Sequence, residues 1–206
     1  AYSAQLACCY MLGIQLAFVR GCIEVQEYQS LIADLEKLPD AIQEILGNKE
    51  RIQWFASKQA AAQDVFFIGR GLDYAVSMEG SLKLKEISYI HSEAYAAGEL
   101  KHGSISLIED GTLCVAIATQ PAIYEKTISN VVEVKSRGGY IFGITNKEHV
   151  DIEDTADFVV YVPVCNPLFA ASLAVIPLQL FGYYVAVSKG CDVDKPRNLA
   201  KSVTVE

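Results

Sequence analysis

The chain has 206 residues, a formal net charge of −8 and 51% hydrophobic residues. That length accommodates one full domain and additional segments. The acidic balance excludes broad nucleic-acid binding, which needs a basic footprint, but a few local Lys, Arg and backbone N–H groups still suffice for one phosphate.

The first 20 or so residues, "AYSAQLACCYMLGIQLAFVRG", read as an apolar helix over 2–20 that ends near Gly21. The pattern starts midway, with no Met and no cap, so it is expected to be a helix cut from a longer chain. Residues 22–30 read as a connector. "SLIADLEKLPDAIQEILGN" (30–48) has helical periodicity broken at Pro39, with Asp40 expected to cap a second segment and Gly47 to end it. "KERIQWFASKQAAAQ" (49–63) reads as a further amphipathic helix.

The pattern then changes. "DVFFIGRG" (64–71) is a short apolar run closed by glycines, the signature of a buried strand entering a tight turn. A helix is predicted over 74–90, followed by a polar loop, "SEAYAAGELKHGS". "TLCVAIAT" (112–119), "YIFGIT" (140–145) and "DFVVYVP" (157–163) are predicted strands, with a helix over 122–139 between the first two. Strands alternating with helices imply an α/β fold with a doubly wound, mainly parallel sheet covered on both faces.

"PLFAASLAVIPLQLFGYYVAVSKG" (167–190) is almost long enough to span a bilayer. Pro177 and Gln179 lie near its middle, so it reads as a buried helix or a subunit interface rather than a membrane span. The tail, "CDVDKPRNLAKSVTVE" (191–206), fits no regular element. Its composition leaves open whether it is a loose end or part of a site. The six cysteines, Cys8, Cys9, Cys22, Cys114, Cys165 and Cys191, match no zinc spacing, and most sit in apolar runs. They read as buried free thiols of a reducing cytoplasm. No metal site and no signal peptide is read.

On the 74–90 helix, Glu79, Lys83 and Glu86 are four and three residues apart and form one polar stripe; Ala75, Leu82 and Tyr89 are expected on a core-facing side. A solvated stripe is the ordinary outcome for such a helix. A glutamate beside a lysine, with a histidine nearby, is also a set that can move a proton next to a carbonyl. Gly69-Arg70-Gly71 begins like a dinucleotide-binding turn, but position 74 is Tyr rather than Gly, so a plain tight turn is expected.

"GSLKLKEISYIHSEAYAAGELKHG" and "DVDKPRNLAKSVTVE" together resemble the C-terminal end of the glutamine–fructose-6-phosphate aminotransferase family. The resemblance runs over the whole chain. It implies sugar isomerase (SIS) domains of the three-layer sandwich type: residues 1–24 as the last helix of a truncated first domain, 25–190 as the second domain and 191–206 as an active-site tail. An N-terminal glutaminase domain and most of the first SIS domain, with its phosphate loops, would lie outside this chain.

By the same resemblance, Glu86 is the base that moves a proton between the first two sugar carbons, and Lys83 positions the sugar or stabilises the developing charge. His102 is a ring-opening acid/base given to the neighbouring subunit of a homodimer; an imidazole titrates near neutrality, which suits that task. Lys201 forms a Schiff base with the open-chain carbonyl, Ala200 and Arg197 belong to the substrate-binding set, and Glu79 supports from behind. The implied reaction converts fructose 6-phosphate to glucosamine 6-phosphate with glutamine-derived ammonia, with no cofactor, no nucleic acid and no membrane, in the cytoplasm. A phosphosugar-sensing SIS module and a plain phosphosugar isomerase are the alternatives.

Overall fold

The computed structural model describes residues 2–199. Four helices come first: α1 (Tyr2–Val19), α2 (Val25–Glu36), α3 (Leu38–Leu46) and α4 (Lys49–Gln59). Then β1 (Asp64–Gly69), α5 (Leu72–Ser88), β2 (His91–Ala96), β3 (Leu113–Ala118), α6 (Tyr124–Lys135), β4 (Tyr140–Asn146), β5 (Phe158–Val162) and α7 (Ala170–Ser188) build the α/β body. The five strands form one sheet in the order β2-β1-β3-β4-β5, and every neighbouring pair is parallel.

Side chains alternate across a strand, so each apolar run feeds two cores. Val65, Phe67, Val115, Phe142 and Phe158 join residues of α3, α4, α5 and α7 on one face. Phe66, Ile68, Cys114 and Ile141 join Val131 and Val134 of α6 on the other. Phe55 of α4 lies parallel to Phe158, with centroids 4.1 Å apart, and meets Phe142 edge-on at 5.0 Å. This is the expected doubly wound sandwich.

Helices α1 and α7 are each long and apolar enough to cross a membrane. Most of α7 is buried within the domain, so its apolarity serves the core, as the sequence led us to expect. Helix α1 buries Ile14 alone. It is held by the ring of Tyr10, edge-on to Phe169 at 4.9 Å, and by the Ser172 hydroxyl, which donates to Tyr10 Oη at 3.2 Å.

Several local expectations change. Helix α2 already begins at Val25, within the expected connector. Asp40 is not a cap: α3 begins at Leu38, and Pro39 takes one of the first helical positions, where its missing N–H costs nothing. The stretch "HSEAYA", expected as loop, is the edge strand β2. Its burial is held by small groups, the Ser92 hydroxyl donating to Ser81 O at 2.9 Å, which gives no apolar alternation to read. Cys114 is buried, Cys165 and Cys191 are half-buried, and Cys8, Cys9 and Cys22 are exposed, the first two because α1 leaves most of its surface open and Cys22 because it lies in the bend after that helix.

The core side of α5 also differs from expectation. Ala75 is exposed, Leu82 is 43% exposed, and Tyr89 has left the helix at φ +62°. The buried face is Asp73, Val76, Ser77, Gly80, Ser81, Leu84 and Ser88. Small residues let α5 sit close to α7 and β1. A Cβ at Gly80 would come within 2.8 Å of Leu178 Cδ1 and 3.1 Å of Phe67 Cε1.

Candidate active site

The stripe on α5 forms as its spacing suggests. Lys83 Nζ is 2.6 Å from Glu86 Oε2 and 3.8 Å from Glu79 Oε1, and all three side chains are half-buried. One ammonium thus lies against two carboxylates, meeting Glu86 through Oε2. Helix α5 starts at the carboxyl end of β1 and runs back along the sheet. Glu86 therefore lies level with the start of β2, close before His91.

Helix α7 runs in the same sense and delivers the C-terminal segment to that end of the sheet. Asp192 Oδ1 accepts the amides of Asp194 and Lys195, both at 3.0 Å, and turns the chain. The Arg197 amide then donates to Tyr89 Oη at 2.8 Å, and its guanidinium stands 4.2 Å from the centre of the Tyr89 ring. The structure thus brings Arg197 together with the end of α5 that carries Glu86. Lys201 and Ala200 lie outside the described residues.

Two residues near the stripe escape sequence reasoning. Tyr2, at the start of α1, has its hydroxyl pKa raised first by burial and then by the negative charge of Glu79. Tyr89 holds the tail. No spacing marks either one, since both act across elements distant in sequence.

His102 lies elsewhere. It closes a short 3-10 turn, Leu100–His102, beyond the carboxyl end of β2, and is exposed. Glu86 precedes the amino end of that strand. Six residues of strand separate the two levels by about 17 Å, so within one chain these side chains do not meet.

The usual ligand position in a sheet of this order is the crevice between the carboxyl ends of β1 and β3, where the winding reverses. Here it is filled by Asp73, 1% exposed. Asp73 Oδ2 accepts the Thr119 amide at 2.7 Å and Oδ1 accepts the Thr119 hydroxyl at 2.6 Å. Burial raises the carboxyl pKa, and the bonds from the Thr119 hydroxyl, the Thr119 amide and the Gln120 amide offset part of that rise. An incoming phosphate would find these amides already taken.

The Gly69-Arg70-Gly71 turn belongs to the same arrangement. A Cβ on Gly69 would stand 2.5 Å from the Asp73 carbonyl, and Gly71 has φ +56°. Arg70 reaches across to Asn130 Oδ1 through Nε at 3.1 Å and Nη2 at 2.9 Å, tying β1 to α6. It is a tight structural turn, as expected.

Comparison with known proteins agrees with this architecture. Glutamine–fructose-6-phosphate aminotransferase (isomerizing) of Caldanaerobacter subterraneus subsp. tengcongensis is 55% identical over 206 residues, and that of Clostridium acetobutylicum is 52% identical over the same length. All of this chain is covered, but it spans 34% of each relative. The C-terminal domain of glucosamine-fructose-6-phosphate aminotransferase from Francisella tularensis superposes with a TM-score of 0.88 at 32% identity, over 95% of this chain and 55% of that one. Residues 60–189, more than half of the chain, match the family described as the SIS domain, and the chain belongs to that family.

Proposed function

We propose that this chain is the C-terminal part of the isomerase half of a glutamine–fructose-6-phosphate aminotransferase that makes glucosamine 6-phosphate in the cytoplasm. The observation that carries this reading is the Glu79-Lys83-Glu86 stripe with the C-terminal segment docked beside it, in a chain 55% identical throughout to an enzyme of that name.

The chemistry follows from the carboxylate. After ring opening, ammonia and the C2 ketone form an imine with loss of water. Glu86 removes a proton from C1, giving an enolamine, and returns it to C2, which leaves an aldehyde at C1 and an amine at C2. One carboxylate can do both steps because it accepts and returns the same proton on one face. Lys83 holds that carboxylate in place and screens charge developing on the sugar oxygens. Lys201 forms a Schiff base with the open-chain carbonyl, from which ammonia displaces the lysine amine, and Ala200 and Arg197 contact the open-chain sugar.

The same reading assigns His102 to the neighbouring subunit's site in a homodimer. The separation of His102 and Glu86 by the length of β2 supports this, because one chain cannot join them. The occupied crevice at Asp73 supports placing the phosphate loops in an upstream SIS domain, with residues 1–24 as that domain's last helix, 25–190 as the second domain and 191–206 as the tail.

The test is NMR of fructose 6-phosphate in deuterated water with the full-length protein. The native protein should exchange hydrogen at C1 and form glucose 6-phosphate, and Glu86→Gln should bind the sugar without exchange. Exchange undiminished in Glu86→Gln, or none by a folded native protein that binds the sugar, overturns the assignment.

A further inference from the structure

Tyr89 and Asn198 are the two non-glycine residues at positive φ among the described residues, each at +62°. Asparagine visits this region readily, whereas a bulky tyrosine does so against its preference. A helix that ends in this conformation usually places glycine there. Tyr89 still closes α5, its amide donating to Lys85 O at 3.2 Å. Its hydroxyl and its ring both engage one residue, Arg197.

Arg197 sits between two conformational restraints. Pro196 before it has a fixed φ, and Asn198 after it turns the chain through the left-handed region. The course of the segment up to Leu199 therefore depends on where Arg197 is pinned. That point is three residues from Glu86 on the chain that carries it.

We infer that Tyr89 is a positioning residue: it clamps the C-terminal segment, at Arg197, to the end of α5 that carries Glu86. The inference deepens the functional reading above and rests on it. The strained backbone at Tyr89 is the cost of presenting a ring and a hydroxyl where glycine would present neither.

Amide hydrogen exchange by mass spectrometry on the full-length protein tests the clamp directly, using peptides covering residues 191–199 and control peptides from β1 and β3. Tyr89→Gly relieves the positive φ but removes both contacts. Exchange of 191–199 should quicken about tenfold, with β1 and β3 unchanged. Turnover of fructose 6-phosphate should show a lowered kcat, with KM held within about twofold.

Tyr89→Phe keeps the ring and loses only the acceptor. It should quicken exchange about threefold and recover part of kcat. If the glycine variant also loosens β1 and β3, the phenylalanine variant decides alone. Unchanged exchange at 191–199 in both variants overturns the clamp. Faster exchange with unchanged kcat overturns the positioning role. A native protein without turnover would sink the functional reading, while the exchange result still decides the clamp.

Discussion

Lys83 stands between Glu79 and Glu86, 3.8 Å from the first and 2.6 Å from the second, so one cation orders two carboxylates that lie two turns apart on α5. All three groups are half-buried. A partly exposed pair of this kind contributes at most about 1 kcal/mol to stability. Lys83→Met should therefore leave thermal unfolding almost unchanged. The same variant should lower kcat about tenfold or more, because Glu86 loses the group that holds it. Glu86→Gln should cost about 1,000-fold. A large fall in Tm together with normal turnover in Lys83→Met would show a structural role only.

The separation of Glu86 and His102 predicts complementation. Glu86→Gln and His102→Gln should each be inactive alone. Mixed by co-expression, they should recover about a quarter of native activity, because half of randomly assembled dimers would hold one intact site. No recovery from well-folded mixed dimers would show that both residues serve the same chain's site, or that His102 serves none.

Asp73 predicts a pH dependence. Its folded pKa is raised by burial. Such a carboxyl favours the folded state below the ordinary carboxylate range, and that contribution is lost as pH rises through the folded value. Asp73→Asn keeps one acceptor for the Thr119 amide and can donate to the Thr119 hydroxyl. Its stability relative to the native chain should therefore rise as pH climbs out of the acid range. Asp73→Ala leaves the Thr119 amide without its acceptor and should cost about 2 kcal/mol. Urea unfolding of all three proteins across pH checks both, and a constant difference between Asn and native chains would contradict the titration.

Gly80 predicts a coupled pair. Gly80→Ala drives a methyl group to within 2.8 Å of Leu178 Cδ1. The clash should outweigh the gain in helix propensity and cost about 1 kcal/mol net. In a Leu178→Ala background the clash is largely gone, so the same change should become neutral or favourable. A double-mutant cycle measured by urea denaturation gives this coupling; additive effects would show that α5 and α7 do not touch here.

The cysteines should separate by reactivity. Cys8, Cys9 and Cys22 are exposed in this chain and should react with a thiol reagent within minutes at pH 8. Burial pushes the Cys114 thiol up to about 12, and burial with the charge of Asp34 pushes Cys165 up to about 11. Cys114 should stay unlabelled until the protein unfolds, as peptide mapping would show.

Legibility followed burial. β1, β3, β4 and β5 are covered on both faces, so each appears as an unbroken apolar run that sequence alone identifies. β2 is an edge strand built on Ser92 and small neighbours, held by pairing with β1 rather than by its own apolarity, and its sequence reads as loop. The buried face of α5 escaped for a related reason. Its buried face carries glycine against α7 and β1 and serines bonded to β2 or to the helix's own carbonyls, residues that periodicity counts as polar or neutral, while Leu82 is left outside.

The linear order of residues by itself determined the α/β class, the four covered strands, the core character of α7 and the Glu79-Lys83-Glu86 stripe. Each depends on neighbours within a few turns or on one apolar run. Only the tertiary structure decided that Asp73 fills the crevice between β1 and β3, that Glu86 and His102 occupy opposite ends of β2, and that Tyr89 holds Arg197. These relationships join residues up to 108 positions apart, and the direction of each helix against the sheet, which no local pattern encodes, sets which of them meet.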